Sequence, residues 1–381
     1  SLCYETNSPG FEIVHRCSFL GIRGIANGLL KFTNVKVPKE NIIGHPGEGL
    51  KIALVTLNTG RLTIPAISAG VGKLCMHYCR DWANERVQWG LPIGKHQAVG
   101  KRLSELTANT FAMDSIASLT ASFADQENKD IRLEAAMAKY FGSEVSWKII
   151  DDTLQTRGGR GFETAASLKA RGETPMPIER IFRDLRINRI IEGTSDIMRL
   201  FIAREAMDVH VRHLMGMTKP GLSFIDRLKS VLSAIRFYAV WYPKLWLPTF
   251  QFWGTRHLSR QNKSHLKFIS RTTRKLARRL FHTMARYQQK LEKEQLILGH
   301  FVDIGTLLFA MSASLSKADI LDKKEHPGLQ DAVHLFCKQS RQEIKNHFME
   351  LHSHHRQLTN KVNHQFLDGT YEWMTEGIIK T

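Results

Sequence analysis

Glu192 stands in RINRIIEGTSDIMRLF, after the apolar pair Ile190 and Ile191 and directly before Gly193, Thr194, Ser195 and Asp196. The three polar residues carry side-chain oxygens of the kind that cap helix starts. A helix is therefore expected from Ser195, with Glu192 in the loop before it. Backbone N–H groups at such a start are unpaired and partly positive, so they can receive an anion or a polarised oxygen. Apolar neighbours desolvate a carboxylate and raise its pKa towards that of a useful general base. Read alone, Glu192 fits two roles: a proton acceptor, or an acid favoured at a helix start by the dipole. Cys75, His77 and Cys79 have metal-ligand chemistry at close spacing. No second ligand pair follows, so buried structural cysteines are expected. HSHH (residues 352–355) reads as a solvated helix face, and no metal site is expected.

The elements that position these residues are mainly helical. Residues 1–47 read as strands and turns, with LLKFTNVKV (29–37) bracketed by Gly, Pro and Asn clusters. From Leu50 onwards apolar residues recur every three or four positions. Three helices of roughly 25 residues with short polar connections argue for an antiparallel bundle. The Gly-rich turn RGGRGFE (157–163) interrupts it, and a shorter helix is expected around Ile178 to Leu185. The expected organisation is a β segment at 1–47, a four-helix bundle at 48–210, a linker at 211–222 and a basic second helical domain at 223–381.

The chain has 381 residues, enough for two or three domains, and a net charge of +18. Most of the excess lies between residues 212 and 294, where eighteen Lys and Arg face only Asp226, Glu292 and Glu294. In the same stretch Phe224, Leu228, Val231, Leu232 and Ile235 fall at helical spacing. An aromatic group follows: Trp241, Tyr242, Trp246, Phe250, Phe252 and Trp253. Basic residues beside Trp and Tyr suit an anionic membrane surface, contacted through residues 223–290. The alternative is that these helices dock as plain core. Nucleic acid is not an expected partner, because no reader motif accompanies the charge. Five irregularly spaced cysteines argue for a reducing compartment. With no signal peptide and no apolar run of about 20 residues, a soluble or peripheral protein is expected.

Five stretches in order, VPKENIIGHPGEGLKIAL, ERVQWGLPIGKHQAVG, QTRGGRGFE, IFRDLRI and IIEGTSDIMRLFIARE, carry a resemblance over about Pro9 to Ala206. The sequence resembles the C-terminal part of the flavin-dependent acyl-CoA dehydrogenases, in plan the very-long-chain type with its extra C-terminal helical domain. The resemblance implies that Glu192 removes the α-proton of a long- or very-long-chain acyl-CoA in fatty-acid β-oxidation. Flavin N5 takes hydride from the β-carbon, and a trans-2-enoyl-CoA is left. The base's backbone N–H and a ribityl hydroxyl are expected on the thioester oxygen. Some relatives carry the base on the helix that begins near residue 60, but this chain has Gly60 there. Asn58, Arg61 and Gly193 match substrate-side positions, although Asn58 and Arg61 fit helix-packing or capping roles equally well. FAD contacts are implied for Arg86, Gln88, Trp89, Ile93, His96, Gln97, Gln155, Gly158 and Gly159, and for Thr194, Ser195 and Asp196.

Arg86 matches an arginine that pairs with a neighbouring subunit's FAD, which implies a homodimer. Electron-transfer flavoprotein is the implied oxidant of the reduced enzyme. The expected location is the cytoplasm or mitochondrial matrix, peripheral on the inner membrane and not secreted. Two departures from the pattern stand out. TAASLKARGETPMP is a longer connection than usual, which implies a remodelled FAD-adenosine end. The resemblance also starts inside the family's β-domain, so the N-terminal helical domain and the β segment that holds the flavin ring are expected to be missing from this sequence. A non-catalytic membrane-associated interaction or assembly protein is therefore the second expectation.

Overall fold

The longest helix, α1, runs without a break from Gly49 to Glu85, well past the expected length of about 25 residues. It passes through Pro65, which removes one backbone donor but leaves the turns on either side intact. Opposite that proline sits Gly142: a Cβ added there would lie 3.3 Å from the Pro65 Cα and 3.4 Å from Ser68. The missing side chain lets α1 approach α3 closely at this crossing. The computed structural model describes residues 1–127, 129–218, 224–247, 258–321, 324–353 and 355–378.

Before α1, strands β1 (Phe11–Arg16) and β2 (Gly28–Phe32) form one antiparallel hairpin pairing Phe11 with Phe32. After α1 comes a second, very short hairpin of β3 (Val87–Gln88) and β4 (Leu91–Pro92). Helices α2 (Gln97–Ala124) and α3 (Arg132–Arg157) complete the long part of the bundle. Three short helices follow: α4 (Gly159–Phe162), α5 (Ala165–Ala170) and α6 (Ile178–Leu185). The long connection is folded back and pinned by ion pairs from Arg171 to Glu163 and from Arg160 to Glu173. Asp184, in the IFRDLRI stretch, accepts the Ile22 N–H at 2.6 Å, and Arg183 donates to the Leu20 carbonyl. That motif therefore fastens the β segment to α6.

Helix α7 (Ser195–Thr218) continues through much of the expected linker at 211–222. No proline falls between Ser195 and Lys219, and the lone Gly216 costs a helix only about 1 kcal/mol. The C-terminal region contains α8 (Phe224–Lys244), α9 (Arg260–Tyr287), α10 (Gln295–Ile320), α11 (Leu329–Glu350) and α12 (His355–Leu367). Phe250, Phe252 and Trp253 lie outside the described residues. The apolar core is continuous from Met113, Ile116 and Ile150 of the bundle to Ile304, Val333 and Phe336 of α10 and α11. Asp114 ties the same parts together by accepting from Lys73 of α1 at 2.6 Å and from Lys317 of α10.

Two helices, α1 and α10, are long and apolar enough by length and composition to cross a membrane, which corrects the expectation that none would be. The apolar stretch of α10 is mostly buried inside this fold, as expected of a core helix. Cys75 and Cys79 are buried on α1, and burial pushes the Cys75 thiol up to about 12. His352 and His355 are exposed.

Candidate active site

The loop between α6 and α7 places Glu192 at φ +55° and Gly193 at φ +100°. A non-glycine residue in the left-handed region costs roughly 1 kcal/mol, so the surrounding contacts hold Glu192 in a strained turn. Its carboxylate lies directly over Gly60: a Cβ at position 60 would come within 1.9 Å of Oε1 and 2.4 Å of Cδ. A side chain at 60 and the observed Glu192 thus exclude each other. Burial raises the Glu192 pKa, while the nearby cations Lys139 and Arg61 pull it back, with a net upward shift. Glu192 Oε2 is buried without a hydrogen-bond partner, so one lone-pair face of the carboxylate is uncommitted. That is the state a base needs in order to accept a proton from something brought to it.

Three side chains hold this loop. Lys139, fully buried on α3, donates to the Gly193 carbonyl at 2.7 Å. Burial lowers its own pKa to about 8, against the opposing pull of Glu192. Glu144, one turn further along α3, accepts from Arg189 at 2.7 Å and from the Ser195 hydroxyl. Thr194 caps α7, its Oγ1 accepting the Ile197 N–H at 3.3 Å, whereas Asp196 points to solvent. Arg61 is buried on α1 with its guanidinium 4.4 Å from the Phe201 ring centre. Asn58 lies on α1, but its side chain is outside the described residues. The structure therefore gathers Glu192, Gly193, Arg61 and Gly60. It adds Lys139 and Glu144, which sequence reasoning missed.

An apolar surface leads to the carboxylate. Leu50, Ala53, Leu57 and Gly60 share one face of α1 by helical spacing, and Leu50 and Leu54 are exposed. Ile190 and Ile191 add exposed apolar surface beside Glu192. The arrangement suits an aliphatic chain whose reacting end reaches Glu192.

The remaining expected cofactor contacts cluster elsewhere. Trp89 (φ +49°) and Gly90 (φ +77°) form the two left-handed residues of a tight hairpin turn. A tryptophan in that conformation, 91% exposed, is a strained and unshielded aromatic. His96 packs edge-on against it at 5.7 Å and contacts the Gln88 carbonyl at 3.0 Å, while Ile93 N–H donates to the Arg86 carbonyl. Gln97 opens α2. The other end of this group is joined to the Gly-rich turn through Trp82, which has Arg157 at 4.6 Å and Arg160 at 5.4 Å. Gln155 is exposed there, and a Cβ at Gly158 or Gly159 would meet nothing within 4 Å. The exposed Arg86, the exposed Trp89 indole and the bare backbone at Gly158 and Gly159 suit a phosphate-bearing aromatic cofactor lying across this surface. Thirteen residues of α3 separate Glu144, which holds Ser195, from Arg157. The backbones of Glu144 and Arg157 are thus about 20 Å apart along α3, with Ser195 held at the Glu144 end.

Residues 47–207 match the family model described as "Acyl-CoA dehydrogenase, C-terminal domain". The chain is 43% identical over 378 residues to a probable acyl-CoA dehydrogenase FadE10 of Mycobacterium tuberculosis, covering 98% of this chain and 58% of that protein. It is 36% identical over 198 residues to the very long-chain specific acyl-CoA dehydrogenase of rat mitochondria, covering 52% of this chain and 29% of that one. A Bacillus anthracis acyl-CoA dehydrogenase crystallised with FAD has the same fold over 92% of this chain and 58% of its own, with a TM-score of 0.67 at 24% identity. The chain spans somewhat more than half the length of the first of these relatives.

Proposed function

Because the chain belongs to the acyl-CoA dehydrogenase family, carrying its C-terminal domain at residues 47–207, we propose that the protein it forms oxidises long-chain acyl-CoA thioesters to trans-2-enoyl-CoA. The family is flavin-dependent. FAD, when bound, supplies the acceptor for the β-hydrogen and its electron pair. Glu192 accepts the α-proton through its uncommitted Oε2. Its carboxylate is a stronger base than one in water because it is desolvated, and Lys139 and Arg61 keep it ionised enough to act. Lys139 holds the Gly193 carbonyl, so the carboxylate keeps its place over Gly60 during proton transfer. The acyl chain lies along the Leu50–Gly60 face of α1. The preference for long chains is supported by the very long-chain relative and by the length of that apolar face.

The observation that carries this reading is the carboxylate of Glu192 seated over Gly60 with one oxygen free. In the flavin-loaded protein, Glu192→Gln is expected to keep the flavin spectrum and slow reduction by acyl-CoA by about 10²–10⁴-fold. Reduction at the wild-type rate would reject the assignment.

The proposed active form is a homodimer in which Arg86, Gln88, Trp89, Ile93, His96 and Gln97 face the flavin of the partner. Electron-transfer flavoprotein is its proposed oxidant. A location in the cytoplasm or mitochondrial matrix, on an inner membrane, fits the uncovered apolar face of α8. On that face Ile225, Leu228, Leu232 and Ile235 are exposed next to the basic helix α9. Co-sedimentation with vesicles containing an anionic phospholipid is expected to fall as salt rises. No binding at low salt would remove the membrane from this proposal.

A further inference from the structure

Where α10 meets α11, three side chains with metal-ligand chemistry converge from two helices. His300 and Asp303 stand one turn apart on α10, and His347 comes from the facing helix α11. The two imidazoles approach through Nδ1 atoms 3.1 Å apart, and Asp303 Oδ2 lies 3.9 Å from the His347 Nδ1. One ligand atom from each residue falls within 4.8 Å of the other two. A tetrahedral zinc ion with bonds of about 2.0–2.1 Å sets its ligand atoms about 3.3 Å apart. The imidazole pair is already near that spacing. Small rotations of the imidazoles would bring them to the carboxylate.

The surroundings resemble the outer supports of a metal centre. Asp303 is 9% exposed and oriented on three sides: Tyr140 donates to Oδ1 at 2.8 Å, and Arg199 donates to both oxygens at 3.1 Å. Those bonds fix the plane of the carboxylate, as outer partners of ligating groups do. Glu343 lies 4.0 Å from the other ring nitrogen of His347, within one rotamer change of taking its N–H. Asp303 and His347 also border a cavity of about 490 Å³ between the bundle and α10–α11, with room for a water ligand and a path for an ion. Glu105, Glu144 and Glu343 line the same cavity with Lys148 and Arg199; Glu105 is paired with Lys148 and Glu144 with Arg189. A second histidine pair shows the contrast. His265 and His334 touch at 2.9 Å, but the charged group beside them is Arg341, 3.5 Å from His265.

We propose that His300, Asp303 and His347, with one water, bind a zinc-class divalent cation. The ion joins α10 to α11. Through the bonds of Asp303 to Tyr140 and Arg199, it also ties both helices to α3 and α7. The site is independent of the dehydrogenase reading because none of its residues touches Glu192.

The test uses the full chain stripped with a chelator and titrated with Co²⁺ and Zn²⁺. Binding of one Co²⁺ per chain with the intense visible absorption of a four-coordinate ion is expected, together with a rise in unfolding temperature with Zn²⁺. His300→Gln and His347→Gln, made separately, are each expected to weaken binding by about 100-fold or more. The surface double variant His352→Gln/His355→Gln leaves it unchanged. The proposal fails if the wild-type chain binds no stoichiometric ion or gives the pale spectrum of six-coordinate cobalt. It fails equally if only the surface variant loses the metal. Should both ligand variants fail to fold, the wild-type stoichiometry and cobalt spectrum still decide.

Discussion

Gly60→Ala separates the geometry of the candidate active site from its stability. Gly60 lies inside α1 with helical backbone, so alanine is tolerated there and favours the helix by up to about 1 kcal/mol. Its methyl group would stand 1.9 Å from Glu192 Oε1, and the three atoms nearest to it all belong to the Glu192 side chain. The obstacle is the free end of a flexible side chain, so the helix stays and the carboxylate moves. Restoring an ordinary contact of 3.4 Å requires a shift of about 1.5 Å. Misplacing a reacting group by ~1 Å costs about 10²-fold in rate, or about 2.7 kcal/mol of barrier. Stopped-flow reduction of the bound flavin by saturating acyl-CoA is therefore expected to slow about 100-fold. The urea midpoint of the same variant should be unchanged or higher. A folded Gly60→Ala protein with the wild-type rate would show that the carboxylate over residue 60 is not the base. Rate and stability lost together would show that position 60 is structural, which also refutes the reasoning.

Two other substitutions probe the supports. Lys139→Met removes a cation that opposes the burial of Glu192, so the acid limb of the kcat/KM profile is expected to move to higher pH. In the wild type, the folded Lys139 releases its proton near pH 8 and the unfolded chain near 10.5, so stability rises with pH across that window. Urea midpoints measured at pH 8 and pH 10 should show this rise, and Lys139→Met should lack it; a rise of equal size in the variant would sink the assignment. Trp89→Ala changes a residue 91% exposed, so unfolding should shift by no more than about 0.5 kcal/mol. Flavin retention on gel filtration is nevertheless expected to fall roughly tenfold, and retention like that of the wild type would remove Trp89 from the cofactor surface.

What could be seen in the sequence was the loop chemistry. Glu192 was legible because capping residues follow it, and Gly60 only through the resemblance, because some relatives carry the base there. Lys139 was not legible in the same way. A lysine in LEAAMAKYFGSE reads as solvated, and its burial depends on the Gly193 carbonyl arriving from 54 residues away. One signal was available: Ala135, Ala136, Gly142 and Ser143, at three- and four-residue spacing from Lys139, are all small and all buried. Pro65 lies inside α1 without ending it, because the cost of one absent donor is outweighed by the packing of the 37-residue helix. The long reach of α7 past residue 210 was hidden by a composition of Gly, Met and His that breaks no helix by itself. Across the chain, local signals gave element type, and distant partners decided which charged groups are buried.

The Phe141 ring of α3 meets the Phe336 ring of α11 edge-on at 6.1 Å, in the middle of a core that takes residues from both halves of the chain. The C-terminal helices are in this respect not a passenger that could be added or dropped at a boundary. Removing residues 295–351 would turn buried faces of α2 and α3 to water, and a lineage discarding them would need to rewrite those faces first. The bundle and α10–α11 are heritable as one body, and a substitution at their shared face is selected by both at once.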